Sequence, residues 1–336
     1  MSHLIEKNGV WFVYDGKCPM CTSVAHALRI KKDYGSIHLI NAREVMNDPI
    51  IHEINRRGLD LDEGMVIYAE NCFYHGKSAL KFMARYGDAS NGFTAFCKGV
   101  FWSDAISSLA YPWMRGTRNW LLRRKNSPRI DNLNLKAEPT FKSIFGESWD
   151  SLPLVMKKHY ANRPYTDDLT IVDGTLNVMC RGPMLALAPF MKLLGQIPAY
   201  NEKNVPVSVK FQSERHTKAF AFNRTFHFHD GPPYTFYSRM MQIKDNEVIE
   251  IMRFRLGWKM LYFWDGTKVV LQHRGYALSL FGLFIPVPFT LLLGKGYAEE
   301  VAVDDDTFDM ITRITHPWWG KIYEYKGRFK ITREVS

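Results

Sequence analysis

The apolar residues of this chain keep two different rhythms on either side of residues 126–140 (NSPRIDNLNLKAEPT), a polar stretch with Pro128 and Pro139 and no periodicity. Such a stretch reads as a linker. Before it, continuous apolar runs alternate with helically spaced ones; after it, apolar residues recur at every second position. The two patterns bury their apolar faces in different layer arrangements, so one core cannot serve both. Two domains are therefore expected, 1–125 and 141–336, and 336 residues suffice for two cores.

In the first part, Val10–Tyr14 is a continuous apolar run, as for a strand buried on both faces. It meets a tight Asp15-Gly16 turn and then a helical pattern over Cys18–Lys32, with Val24, Ala27, Leu28 and Ile30 on one side. Ile37–Ile40 reads as a strand and Pro49–Arg57 as a helix stopped by Gly58. Met65–Tyr68 and Cys72–Tyr74 flank a Glu70-Asn71 turn as a hairpin, and Lys77–Tyr86 is a helix ending at Gly87. The order β-α-β-α-β-β-α is the thioredoxin-like α/β arrangement. Residues 101–125 continue with helical periodicity, and Arg115, Arg118, Arg123, Arg124 and Lys125 surround Trp113 and Trp120. A basic amphipathic helix of this kind can lie on a membrane surface. The expectation preferred here is a helix with its Trp face packed inward and its arginines solvated.

The second part reads as short strands after a helix near Leu152–Ala161. Asp173-Gly174 and Asp265-Gly266 each read as a hairpin turn, the first between Leu169–Val172 and Thr175–Met179, the second between Lys259–Trp264 and Lys268–His273. Val205, Val207, Val209 and Phe211 alternate, and Phe220, Phe222, Phe226 and Phe228 share one strand face. Further strands are expected at Ala298–Val303, Thr307–Thr315, Lys321–Tyr325 and Arg328–Arg333, with one internal helix at Met184–Leu194. The fold class is mainly antiparallel β, a curved sheet or barrel with added helices. Ala277–Gly294 runs 18 residues without a charge, but Pro286 and Pro288 break it, so a buried, bent segment is expected and not a membrane span. The phenylalanines and the Pro-Val-Pro segment suit a barrel enclosing an apolar ligand or an ordinary aromatic core. Arg224 among them suits a carboxylate or phosphate head group, or a buried Asp or Glu.

Charge narrows the choice of partner little. The chain has 44 Lys and Arg against 34 Asp and Glu; residues 1–136 hold 19 and 13 of these, and the other 200 hold 25 and 21. A surplus spread this way, with no nucleic-acid-binding signature, gives no reason to expect nucleic acid. The opening residues MSHLIEKNGVWFVYDGK lack a basic segment followed by an apolar one, so no secretory signal and a reducing, cytoplasmic setting are expected. There a close cysteine pair is catalytic or metal-binding more often than structural.

Cys18-Pro19-Met20-Cys21 is such a pair, set after a buried strand and opening a helix. A helix start carries partial positive charge and unpaired N–H groups, which favour thiolate over thiol. The three-residue spacing brings the second sulfur one turn away, close enough to resolve a mixed disulfide. Cys18, at the exposed end, is expected to attack and Cys21, deeper, to resolve. Asp15 can take or relay the proton of Cys21, or simply cap the turn or helix. A zinc site would need four ligands, and Cys72, Cys97 and Cys180 are isolated. His75 near Cys72, and His227 with His229 on one strand face, are the nearest approach to a metal set; no metal or other cofactor is expected.

The run Val13-Tyr14-Asp15-Gly16-Lys17-Cys18-Pro19-Met20-Cys21 resembles the signature of the DCC family of thiol-disulfide oxidoreductases, named for its Asp-Cys-Cys pattern. The resemblance extends through Met65–Tyr86 to Pro112–Arg124 and marks Asp15, Cys18 and Cys21. It implies disulfide reductase chemistry on a protein or small-molecule disulfide. Thioredoxins place a cis-proline before the third strand; here Glu63-Gly64 stands there. The second part resembles an uncharacterised bacterial domain often joined to saccharopine-dehydrogenase-like chains, through Phe145-Gly146, Leu152-Pro153, Arg181-Gly182, Arg224-Thr225-Phe226, Pro286-Val287-Pro288 and Trp319-Gly320. No GxGxxG occurs, so no nicotinamide site is expected. The alternative to an enzyme is a carrier of an apolar ligand whose CxxC is a redox switch or vestigial.

Overall fold

A computed structural model describes residues 9–27, 36–86, 92–186, 188, 197–198, 200–280 and 283–335. These divide into two compact units, Met1–Asn134 and Leu135–Ser336.

The first unit is built on four strands, β1 (Gly9–Tyr14), β2 (Ser36–Asn41), β3 (Val66–Ala69) and β4 (Cys72–His75), in the order β2-β1-β3-β4. β1 and β2 are parallel, whereas β3 runs antiparallel to β1 and β4. That order, with the third strand reversed, is the thioredoxin-like sheet. Asn71 and Glu70 take positive φ, 60° and 52°, as the two-residue turn between β3 and β4 requires. Helices α1 (Pro19–Ala27) and α2 (Pro49–Arg56) lie between β1, β2 and β3, and α3 (Lys77–Tyr86) follows β4. Asp48 caps α2 through the Ile50 N–H, and Gly58 leaves it at φ 67°. β1 is apolar on both faces because both are covered: Val10 and Phe12 pack with Leu80 and Phe82, and Val13 packs with Ile50, Ile51 and Ile54. Residues 28–32 and Gly87, part of the expected helix ends, lie outside the described residues.

Two further helices, α4 (Gly92–Phe101) and α5 (Asp104–Arg124), complete the unit. α5 overturns the expectation of an inward Trp face. Trp113 and Trp120 are 58% and 55% exposed, while Arg118 is buried at 6%. The cause is a buried carboxylate that needs a cation, whereas an indole can stay at the surface with its edge wet. Of the polar stretch 126–140, residues 128–132 are strapped to this unit. Arg43 donates to the Pro128 carbonyl at 2.8 Å, and Ile130 and Asp131 N–H groups donate to Asp62 at 2.9 and 2.8 Å.

The second unit is a ten-stranded antiparallel barrel. Its strands are β5 (Leu169–Cys180), β6 (Glu202–Ser213), β7 (Phe220–Phe226), β8 (Tyr234–Lys244), β9 (Glu247–Ile251), β10 (Leu256–Trp264), β11 (Val269–Leu280), β13 (Lys295–Ala302), β14 (Thr307–His316) and β15 (Gly320–Val335). The pairing of β10 with β11 closes the ring, and β12 (Leu283–Val287) hangs on the edge of β11. Alternate residues of β6 and β7, including Val205, Val207, Phe220, Phe222 and Arg224, face the interior. The Asp265-Gly266 hairpin is present, with Gly266 at φ 98°.

The Asp173-Gly174 hairpin is not. Leu169–Cys180 is one strand, paired with β15 on one side and β6 on the other. Gly174 is there for a close approach: a Cβ on it would sit 2.1 Å from the Arg328 carbonyl oxygen, and one on Gly327 would sit 1.8 Å from that of Thr175. Lys321–Tyr325 and Arg328–Arg333 likewise join into β15 across Gly327. Strands β8 and β9 carried no sequence signal strong enough to mark them. The uncharged segment from Ala277 is bent as expected but not buried: it forms the end of β11, β12 and the turn Thr290–Leu293, and Ile285, Leu291 and Leu292 are 46%, 61% and 66% exposed. Of the expected helix Met184–Leu194, one turn (Pro183–Ala186) is seen and most of the rest lies outside the described residues. Among the described residues, no helix is long and apolar enough to cross a membrane.

Two helices close one end of the barrel. α6 (Thr140–Phe145) and α7 (Leu154–His159) place Phe141 against Tyr160, Tyr262 and Phe220 at ring separations of 4.4, 5.3 and 5.5 Å.

Candidate active site

The end of β1, the turn after it and the first turn of α1 bring Asp15, Cys18 and Cys21 together, with Arg118 of α5 laid across them. Pro19 is the first residue of α1, where a missing N–H costs nothing. Cys18 accepts the backbone N–H of Cys21 on its Sγ at 3.3 Å, and both are free thiols. Both are also buried, Cys18 at 0% and Cys21 at 2% exposure, so Cys18 is not at an exposed end. Lys17 is the exposed residue of the turn, and Pro19 and Met20 beside Cys18 are half-buried.

Charge and hydrogen bonds decide which sulfur ionises. The thiol of Cys21 donates to Cys18 and, with the Cys21 backbone N–H and the Arg118 guanidinium, pulls Cys18 down to about 6 against the opposing effect of burial. Cys21 moves the other way, pushed well up by that same hydrogen bond and by burial. Burial acting alone does the opposite of what Cys18 shows: it pushes Cys97 up to about 12 and Cys180 up to about 11. The partners, not the interior, therefore make Cys18 the thiolate.

Asp15 is completely buried at its side chain and takes Arg43 Nε at 2.5 Å, Arg118 at 3.3 Å and the Lys17 N–H at 3.0 Å. Its oxygens are thus held by two guanidiniums and a backbone donor. Arg118 also donates to the carbonyls of Asp62 and Leu61, the latter at 3.2 Å. This fixes its guanidinium beside both sulfurs, where it lowers Cys18 and Cys21 alike. Arg118 and Arg43 are the residues the sequence reading gave no role. The signal that could have found them is Asp15 itself, because a carboxylate ending a strand buried on both faces needs a cationic partner.

A small cavity of about 40 Å³ lies beside Cys21, lined by Met20, Gly64, Met65, Tyr111 and Met114 among others. Gly64 lies two residues before β3, and a Cβ there would meet the Gly76 Cα at 2.8 Å and the Tyr111 hydroxyl at 2.9 Å. The other residues singled out lie apart from this site. His75 is bound to the Asp60 carbonyl at 2.9 Å, Cys72 is exposed, and His229 pairs with Glu202. Among the described residues, no group of three or more His, Cys, Asp or Glu is placed to hold a metal ion.

Residues 12–124 match the DCC1-like thiol-disulfide oxidoreductase family, and residues 152–329 match a domain of unknown function, DUF4166. The chain belongs to the DUF4166 family, joined here to a DCC1-like thiol-disulfide oxidoreductase domain. No curated protein matches it. Among solved structures, Rv2717c from M. tuberculosis is 10% identical over 56% of this chain and 99% of its own, with a TM-score of 0.28. The S-type phycobiliprotein lyase CPES from Guillardia theta is 5% identical over 51% and 89%, with a TM-score of 0.23.

Proposed function

We propose that the first unit catalyses thiol–disulfide exchange, reducing a protein or small-molecule disulfide with Cys18 as nucleophile and Cys21 as resolving thiol. The observation that carries this reading is the Cys18 sulfur at the start of α1, given an N–H at 3.3 Å and a guanidinium neighbour and drawn down to about 6. At neutral pH such a sulfur is mostly thiolate.

Cys18 attacks one sulfur of the substrate disulfide; a mixed disulfide forms and the other substrate sulfur leaves as thiolate. The largest cause holding the Cys21 proton, its hydrogen bond to the Cys18 thiolate, ends at that moment. Arg118 remains to stabilise the thiolate that Cys21 becomes once its proton passes to solvent. Cys21 then attacks Cys18, releasing the second substrate thiol and leaving Cys18 and Cys21 oxidised; an external dithiol returns them. Asp15 serves in this reading as the anchor of Arg118 and not as the base, since its oxygens are already taken. A dithiol that must be returned to its reduced form suits a reducing compartment such as the cytoplasm.

The test is reduction of insulin disulfides by the full chain with dithiothreitol as donor. Turnover is expected for the native protein, none for Cys18→Ser, and at least about ten-fold less for Arg118→Met. Activity that survives Cys18→Ser contradicts the assignment.

A further inference from the structure

The barrel interior of the second unit has a polar-lined hollow of its own. A cavity of about 100 Å³ lies inside it. Four buried side chains in its wall each hold a polar atom with no hydrogen-bond partner: the Tyr323 hydroxyl, the Thr312 hydroxyl, Arg224 Nε and His159 Nδ1. Their exposures are 0%, 9%, 6% and 2%, so bulk water does not satisfy them. An unpaired buried polar group costs about 1–3 kcal/mol, and buried polar atoms are normally paired. Four facing one cavity mark a place where something else supplies the partners.

The charges of the wall describe that partner. Arg224 is already neutralised by Glu250 and further bound by Ser238 at 3.1 Å. Glu300 takes the Tyr160 hydroxyl at 2.5 Å and has His159 3.8 Å away. Among the described lining residues no cation is left unpaired, so an anion entering here would find no counter-charge. The sequence-based expectation of a carboxylate or phosphate head group on Arg224 therefore gives way to its alternative, a buried acidic partner. The unpaired atoms are donors in three cases of four: two hydroxyls and a guanidinium N–H. What they lack is an acceptor.

The remaining wall is apolar, with Phe211, Phe222, Phe236, Trp258 and Leu271 prominent. Met184, Met240, Met252 and Met310 also line it, and methionine walls re-pack around guests of different outline. At rest the cavity is smaller than the about 150 Å³ that holds benzene, so an aromatic guest enters only as these methionines yield. Among the described residues the two ends of the barrel differ. Phe141, Phe145 and Tyr160 close the end where α6 and α7 pack, whereas loops at the opposite end expose Leu185, Phe254, Leu291, Leu292, Trp318 and Trp319.

We propose that the barrel binds a compact, uncharged, mostly apolar molecule through a carbonyl-type oxygen that accepts from Tyr323, Thr312 and Arg224, entering by the apolar-rimmed end. Calorimetric titration of the full chain with acetophenone, ethylbenzene and benzoate tests this. The three share a ring and differ in offering a neutral acceptor, no acceptor and a charged one. Acetophenone is expected to bind one to one, and ethylbenzene and benzoate each about ten-fold more weakly or worse. Tyr323→Phe with Thr312→Val removes only hydroxyls that have no partner, so folding is kept. It is expected to weaken acetophenone binding at least about three-fold, with Arg224 alone left to donate, and leave ethylbenzene unchanged. Equal binding of all three, tightest binding of benzoate, no binding of any, or a preference that the double substitution leaves undiminished overturns the proposal.

Discussion

At the scale of single residues, both units place ionisable groups where water cannot reach them, with opposite results. Cys18 is buried among donors and a cation and becomes more acidic; Glu300 is buried with one hydroxyl donor, and burial pushes it up to about 7. The pH consequence of Glu300 follows directly. Its neutral form is favoured in the folded state, so the stability it contributes is complete below its ordinary value of 4.5 and is lost as pH rises through about 7. Glu300→Gln keeps an acceptor for Tyr160 and has no proton to lose. In guanidinium unfolding it should gain about 3 kcal/mol on the wild type between about pH 5 and about pH 8. A gap that stays constant over that range would show that Glu300 titrates normally. His159, lowered to about 3 by burial, is neutral in the folded state throughout, and its titration in the unfolded chain is common to both proteins and cancels in the gap.

At the scale of elements, the seam between β5 and β15 rests on two glycines. Gly327→Ala would drive a Cβ to 1.8 Å from a fixed backbone oxygen, so the strands must part; Gly266→Ala meets nothing within 4 Å but must keep φ 98°. The first substitution should cost at least about 3 kcal/mol of barrel stability and the second about 1 kcal/mol, measured by denaturant unfolding. Equal costs would contradict the tight seam. The same seam shows what could be read in advance. Val205 to Phe211 and Phe220 to Phe228 announced their strands because period-two burial is written in side-chain type. Asp173-Gly174 misled because the dipeptide that makes a hairpin also relieves a close strand contact, and only the partner across the sheet distinguishes the two. The CxxC on strand–turn–helix was legible for the same local reason. Arg118 was not, since its meeting with Asp15 spans 103 residues of chain and belongs to tertiary packing.

At the scale of the whole molecule, each unit has its own core: the aromatic barrel interior in one, and the two faces of β1–β4 in the other. Separate cores imply separate cooperative transitions. Calorimetry of the full chain should resolve two, with Gly327→Ala lowering one and Arg118→Met the other; a single transition moved by both substitutions would contradict this. The reading of the chain as a redox enzyme depends on one property of the first unit, the ionisation of Cys18. The most direct measurement is the rate of alkylation of Cys18 by iodoacetamide as a function of pH, followed by mass spectrometry of the peptide. Because the thiolate reacts and the thiol does not, the rate should fall as pH drops through a midpoint near 6 and be flat above it. A midpoint at about 8.5, the value of an ordinary cysteine, would contradict it.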